Sequence, residues 1–286
     1  MECMKALWIV AAVPWAYAAG PFEFRERNAT SLELRESGQP VYVYNYGMML
    51  DSGAPESKRR SSYLHPVYAP NGVVVTDDFP RDHWHHRGVF WAWPIVTVEG
   101  KRYDQWMALN PQTRFERWIT REAGEGNAVL EVENGWYLDG GKIVKESVRI
   151  VAHPAQDGKR ILDFELEFTA LDRPIAIAGA PENNKGYGGF SVRFAKRENT
   201  IITTDAGREV KDTDMVRHAW AQLEADYGGK HAALRIDDDP SNPGSPNGWC
   251  LRHYGFLGVN FPGRQPFQLS PGRPLRLKYR VTLTGQ

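Results

Sequence analysis

Asp82-His83-Trp84-His85-His86-Arg87-Gly88 gathers three of the chain's eight histidines beside a carboxylate, a guanidinium and an indole. Imidazole has an unperturbed pKa of about 6.5, so it can give or take a proton near neutral pH, and in its neutral form it is a common metal ligand. The segment suits proton transfer, with His83 or His86 as acid or base and Arg87 binding negative charge on oxygen. It also suits a divalent metal held by His83 and His85. An extended backbone would set His83, His85 and Arg87 on one face and Asp82, Trp84 and His86 on the other. Pro80 upstream and Gly88 downstream favour instead a loop that enters a strand.

Three further segments could complete a site. In Tyr63-Leu64-His65-Pro66 the proline forces His65 toward an extended backbone, which fixes its ring as a second catalytic candidate. Glu182-Asn183-Asn184-Lys185-Gly186-Tyr187-Gly188-Gly189 offers Glu182 as a base and Lys185 as a cation. Its glycines serve either a close approach to a ligand or a turn that needs positive φ. Asn247-Gly248-Trp249-Cys250-Leu251-Arg252-His253 offers Trp249 as a stacking platform, Arg252 as an anion clamp and His253 as another imidazole. On a strand Arg252 and His253 face opposite ways, so both reach one wall only across a bulge. Cys250 reads as a small buried hydrophobe, since no helix start or neighbouring base activates it. Phosphate loops, the GxSxG elbow, HExxH and CxxC are all absent, which argues against nucleotide chemistry, serine hydrolysis and zinc fingers.

Strands must position these groups. Leu162, Phe164, Leu166 and Phe168 alternate with Asp163, Glu165 and Glu167, and Leu275 to Leu283 repeats the pattern. Period-two alternation of this kind marks a strand with one wet face. Further strands are expected at 31–35, 41–46, 89–98, 114–121, 128–137, 143–152, 190–194, 200–204, 216–224 and 232–236, punctuated by turns such as Asp139-Gly140 and Asp157-Gly158. No long helical period is present. The expectation is an all-β chain, a large antiparallel β-sandwich with long loops, of which 237–248 is one.

Formal charge is zero, from 35 basic and 35 acidic side chains without long runs of either sign, so nucleic acid and anionic membranes are poor partners. Ten tryptophans and twelve tyrosines fit either sugar stacking or a β core. Residues 1–18 read as a secretory leader: Lys5, an apolar run from Ala6 to Val13, then the small-x-small site Ala16-Tyr17-Ala18. The run is short of the roughly 20 residues that cross a bilayer, and no later segment approaches that length, so no integral membrane association is expected. Residues 19–286 then form a single β-sandwich domain, periplasmic or secreted, with Cys250 as its lone thiol and no internal disulfide.

Read in order, His65-Pro66 with Pro70 and Gly72, the Asp82 to Gly88 motif, Lys185-Gly186-Tyr187-Gly188-Gly189 before Phe190 to Phe194, Asp239 to Pro243, and Trp249 with Tyr254-Gly255 resemble the DUF6807 family over roughly Tyr42 to Thr284. That family is often named PmoA family protein or methane oxygenase PmoA. The resemblance implies exported bacterial proteins of carbohydrate catabolism, and the name implies an oxygenase. A weaker, architectural likeness is to the galactose-mutarotase-like supersandwich, in which histidines, a carboxylate and an arginine surround a sugar in a concave sheet face.

Three functions compete. The first is an exported carbohydrate-active enzyme, a hydrolase, lyase or epimerase that uses the histidines with Glu182 on a small-molecule sugar. The second is a metal-dependent oxygenase, which needs three ligands around an open position. The third is a non-catalytic carbohydrate-binding module in which Trp84, Trp91, Trp93 and Trp249 stack on sugar.

Overall fold

The computed structural model describes residues 21–285 and contains strands, turns and no α-helix. The leader expected at residues 1–18 lies outside the described residues. Among those described, no helix is long and apolar enough to cross a membrane.

Two nine-stranded antiparallel sheets face each other. The first runs, edge to edge, through Phe22–Asn28, Ser31–Glu36, Gln39–Asn45, Tyr63–Val67, Val89–Ala92, Gly189–Arg193, Phe256–Asn260, Gly248–Arg252 and Thr213–Arg217. The second runs through Gly207–Glu209, Glu198–Thr204, Trp220–Tyr227, Lys230–Asp238, Leu275–Gly285, Lys159–Ala170, Gly141–Ala152, Ala128–Leu138 and Gln112–Glu122. A third, four-stranded sheet is built from Phe267–Leu269, Ile175–Ala178, Ile95–Val98 and Lys101–Tyr103.

Alternation decides what each strand buries. Leu162, Phe164, Leu166 and Phe168 enter the core, while Glu165 and Asp163 face out opposite Lys278 and Arg280. Asp139-Gly140 and Asp157-Gly158 both turn with positive φ, the backbone that a two-residue hairpin needs. Aromatic rings bridge the layers: Trp93 meets Trp136 at 5.4 Å, and Phe190 meets Phe164 at 5.1 Å and Tyr279 at 4.5 Å. Glu146, fully buried, accepts hydrogen bonds from Asn134 Nδ2 at 2.9 Å and Trp136 Nε1 at 2.7 Å, which satisfy its carboxylate inside the apolar layer.

Two expected strands are divided. The run 89–98 breaks at Pro94, which sends Val89–Ala92 into the first sheet and Ile95–Val98 into the small one. The run 216–224 breaks at His218-Ala219, where the chain crosses from the first sheet to the second. Hydrophobic alternation continues across such a crossing because both sheets bury into the same core, so periodicity cannot reveal it.

Candidate functional site

The site lies on the outer face of the first sheet. Along Val89–Ala92, Val89 and Trp91 enter the main core, while Phe90 and Ala92 join a second apolar cluster with Tyr63, Trp106, Cys250 and Phe256. Parity repeats on the neighbouring strand, where Trp249 and Leu251 are core and Cys250 turns outward. Over this second cluster opens a cavity of about 170 Å³, lined by His83, His85, His86, Trp106, Met107, Lys185, Tyr187, Cys250, Arg252, Tyr254 and Phe256. Sites for drug-sized ligands run to roughly 300–1,000 Å³, so this space suits one sugar-sized ring.

Turns, not a strand, shape the histidine segment. His83 N–H donates to Pro80 O at 2.9 Å and His86 N–H to His83 O at 2.8 Å. The alternating faces of an extended segment are thereby lost, and all three imidazoles meet. His83 stacks on His86, with centroids 4.6 Å apart and planes 10° apart. Tyr254 covers the other side of His83 at 5.3 Å, and Phe256 covers His86 at 5.0 Å. His85 stands edge-on to His86 at 4.6 Å.

The surroundings set the protonation of these rings. Burial, reinforced by His85, His83, Arg193 and Arg60, drives His86 well below the usual imidazole range. His85 is pushed down to about 3, chiefly by burial and then by Arg60, His83, Lys58 and Arg87. Both rings are neutral at pH 7. His83 is the more exposed ring, and its Nδ1 lies 3.0 Å from Asp82 Oδ2. Arg193 in turn donates from Nη2 to both oxygens of Asp82 at 2.9 Å and stacks on Tyr254 at 4.8 Å. Burial pushes the hydroxyls of Tyr187 and Tyr254 upward, the latter to about 12, and the Cys250 thiol to about 12, so all three are protonated.

Of the residues singled out from sequence, His83, His85, His86, Lys185 and Arg252 line the cavity. Arg252 is half committed already, since it pairs with Asp214 and donates to Thr213 O at 2.8 Å. The others stand elsewhere. Arg87 is fully buried: Nη1 donates to the carbonyls of Trp84 and His86 at 2.9 and 2.7 Å, Nη2 donates to Lys58 O, and the guanidinium lies over Phe79. It holds the histidine turn and does not face a ligand. Glu182 is exposed and lines a separate depression with Pro94, Tyr103 and Asp104. His65 Nδ1 faces Thr76 Oγ1 at 3.1 Å, and burial lowers its pKa to about 4, outside the cavity.

Trp249 is in the core, where its Nε1 donates to His218 O at 2.7 Å, and Trp91 and Trp93 are buried there as well. Trp84 is half-buried and does not line the cavity. A stacking platform made of these four indoles is therefore ruled out. His253 Nδ1 lies 2.9 Å from Asp212 Oδ1 and Nε2 lies 3.1 Å from Glu209 O, away from the cavity. The glycines after Lys185 serve backbone packing: a Cβ on Gly186 would meet Met215 Sδ at 2.3 Å, and one on Gly189 would meet Val259 O at 2.6 Å. Trp106 and Phe256 lie outside the motifs read from sequence, and Tyr187, Arg193 and Tyr254 lie inside them with no site role given. Outward parity opposite the core residues Phe190, Val192 and Leu257 would have found Arg193 and Phe256; Trp106 comes from a loop with no pattern.

The metal assignment to His83 and His85 finds no third ligand. A catalytic zinc takes about three protein ligands at ~2.0–2.2 Å, each aiming an in-plane lone pair at the ion. His86 lies parallel to His83, so its lone pairs cannot converge on the point that His83 and His85 share. Among the described residues, no three His, Cys, Asp or Glu side chains are arranged to hold a metal ion.

A family model described as "Family of unknown function (DUF6807)" matches residues 31–286. The chain belongs to the DUF6807 family. No curated protein matches this DUF6807 chain in sequence. Among solved structures it is similar to a galactose mutarotase related enzyme from Lactobacillus acidophilus, at 10% identity over 93% of this chain and 97% of that one, with a TM-score of 0.40. A GalM/aldose epimerase homologue from C. elegans shows 10% identity over 94% and 99% of the two chains, with a TM-score of 0.41. The heparinase III-BT4657 gene product shows 9% identity over 96% of this chain and 37% of its own length, with a TM-score of 0.40.

Proposed function

We propose that this DUF6807 protein is an exported carbohydrate-active enzyme that removes a proton from a sugar carbon next to a carbonyl or carboxyl group, as an epimerase or a lyase. The observation that carries this reading is His83, whose Nδ1 stands 3.0 Å from the Asp82 carboxylate in ion-pair range, beside a cavity walled by Trp106, Tyr187, Tyr254 and Phe256. Aromatic walls with polar tips suit the apolar faces and hydroxyls of a sugar ring. Among the described residues no Asp or Glu lines the cavity, whereas glycoside hydrolysis generally needs two carboxyl groups flanking the bond. Proton transfer by imidazole fits, and hydrolysis by a carboxylate pair does not.

The roles follow from geometry and protonation. His83 takes the proton, and Asp82 holds its ring and stabilises the imidazolium that forms. Arg193, bound to both oxygens of Asp82, fixes that carboxylate in turn. Lys185 faces the negative charge that develops on the substrate oxygen. Tyr187, protonated through burial and the nearby Glu182 and Asp104, is placed to return a proton or to protonate a leaving oxygen. The neutral rings of His85 and His86 offer one donor and one acceptor each to hydroxyl groups.

Deuterium wash-in tests this. Mature protein in D₂O is mixed with reducing sugars, keto sugars and uronates, and proton NMR follows loss of the signal at the acidic carbon. Wild type should exchange one class. His83→Ala should slow exchange by about 10²–10⁴-fold with its melting temperature unchanged, and Asp82→Asn should slow it less. No exchange with any class, or full exchange in His83→Ala, would sink the proposal.

A further inference from the structure

We propose that the sugar received by the histidine cavity carries a carboxylate, so that the substrate class is a uronate and not a neutral sugar; this rests on the carbohydrate reading above. The charges around the cavity leave one cation over. Arg252 is paired with Asp214, and Arg193 with Asp82. Lys185 lines the cavity, half-buried, and its ammonium has no hydrogen-bond or ion-pair partner among the described residues. No acidic side chain lines the cavity to answer it.

The wider field is mixed, because Asp104 acts on Arg60, Lys58 and Tyr187 and Glu182 acts on Tyr187, so Lys185 is the uncompensated charge of the lining alone. Arg60, buried and without a carboxylate in ion-pair range, lies behind the cavity wall and donates from Nη2 to Trp106 O at 2.9 Å. Lys58 Nζ donates to Met107 O at 2.9 Å on the same wall. A ligand that strips water from this ammonium without offering an anion leaves a charge unanswered, and that cost falls on the wrong ligand. A neutral sugar would cover Lys185 and leave it unpaired. A carboxylate would pair with it by a charge-assisted hydrogen bond.

The chemistry of a uronate also uses what the cavity holds. Its carboxylate lowers the pKa of the adjacent C–H, and the charge that develops when His83 removes that proton spreads onto the carboxylate oxygens facing Lys185. If the proton returns on the opposite face, the product is the epimer. If instead the carbanion pair forms a C=C bond to the next carbon, that carbon's C–O bond breaks. Its electrons stay on the leaving oxygen, which takes a proton from Tyr187. Both outcomes balance without an oxidant, a reductant or a co-reactant.

The test compares ligands of matched shape. Affinities are measured by calorimetry for methyl glycosides of a uronate, of its neutral methyl ester and of the parent hexose, each in the gluco, galacto and manno series. In one series wild type should bind the uronate at least about tenfold more tightly than the ester or the hexose, and 0.5 M salt should weaken only the uronate. Lys185→Met should erase the preference and Lys185→Arg should keep it, while His83→Ala should keep the preference but lose deuterium exchange. Equal affinity of wild type for hexose and uronate overturns the uronate inference and leaves the sugar reading standing. An unchanged preference in folded Lys185→Met also overturns it. Failure of every sugar to bind brings down the sugar reading and this inference with it.

Discussion

Arg87 shows how far residue type can mislead about role. A guanidinium inside a histidine motif suggests an anion clamp, yet its nitrogens are spent on three backbone carbonyls, and Asp78 Oδ1 lies 3.5 Å from its Nε. Its work is to fold Trp84 to His86 into the turn that stacks the imidazoles. Arg87→Met leaves the three carbonyls without their donor and Asp78 without its ion-pair partner in a buried setting, which costs about 3–5 kcal/mol. Urea denaturation should report that loss in the ligand-free protein. A variant that keeps wild-type stability and loses only ligand affinity would restore the clamp. Arg193 is the arginine that reaches the site through Asp82, on a strand expected from sequence at 190–194 with no role given to its arginine.

At the scale of the element, strand parity assigns the site's walls. Residues 249 and 251 go inward and 250 and 252 outward, so Trp249 and Arg252 can never share a surface on this strand. Alternation was visible in the sequence and separates Trp249 from the site, whereas His253 lies past the strand's end, in the turn before Phe256. Gly88 stands where the histidine turn enters its strand. A Cβ there would stand 2.1 Å from Leu64 O and 3.0 Å from His65 Cβ, where the strands Tyr63–Val67 and Val89–Ala92 meet. Gly88→Ala must push these strands apart, at about 1–3 kcal/mol or more. The expected result is a lower melting temperature together with slower deuterium exchange, because the turn is carried on the displaced strand. Normal exchange in that variant would show the turn to be independent of the strand.

At the scale of the whole molecule, burial of titratable groups makes stability depend on pH in two opposing ways. His65, with a folded value of about 4, binds fewer protons folded than unfolded between there and about 6.5, so its contribution is lost as pH falls through that window. His85 acts likewise down to about 3. Asp78 has the reverse sign: burial raises it to about 7 against the pull of Arg87, so folding takes up a proton between about 4 and 7 and its contribution is lost as pH rises. Melting temperatures measured from pH 4 to 7.5 should show His65→Asn gaining on wild type toward acid and Asp78→Asn gaining toward neutral pH. Parallel curves for all three proteins would contradict the burial of these groups.

The sequence by itself determined the all-β class, most strand positions and the segments from which the site is drawn, because those depend on alternation, turn chemistry and residue type within a few neighbours. Five of its candidates, His83, His85, His86, Lys185 and Arg252, share one cavity. Only the tertiary structure decided that Arg87, His65, Trp249, Glu182 and His253 stand apart, that 216–224 changes sheets, and that Tyr187 and Trp106 wall the pocket. The physical reason is that a site on a sheet face is assembled from strands distant in the chain. Which side chains meet there depends on strand order and turn geometry, and neither leaves a local trace in the sequence.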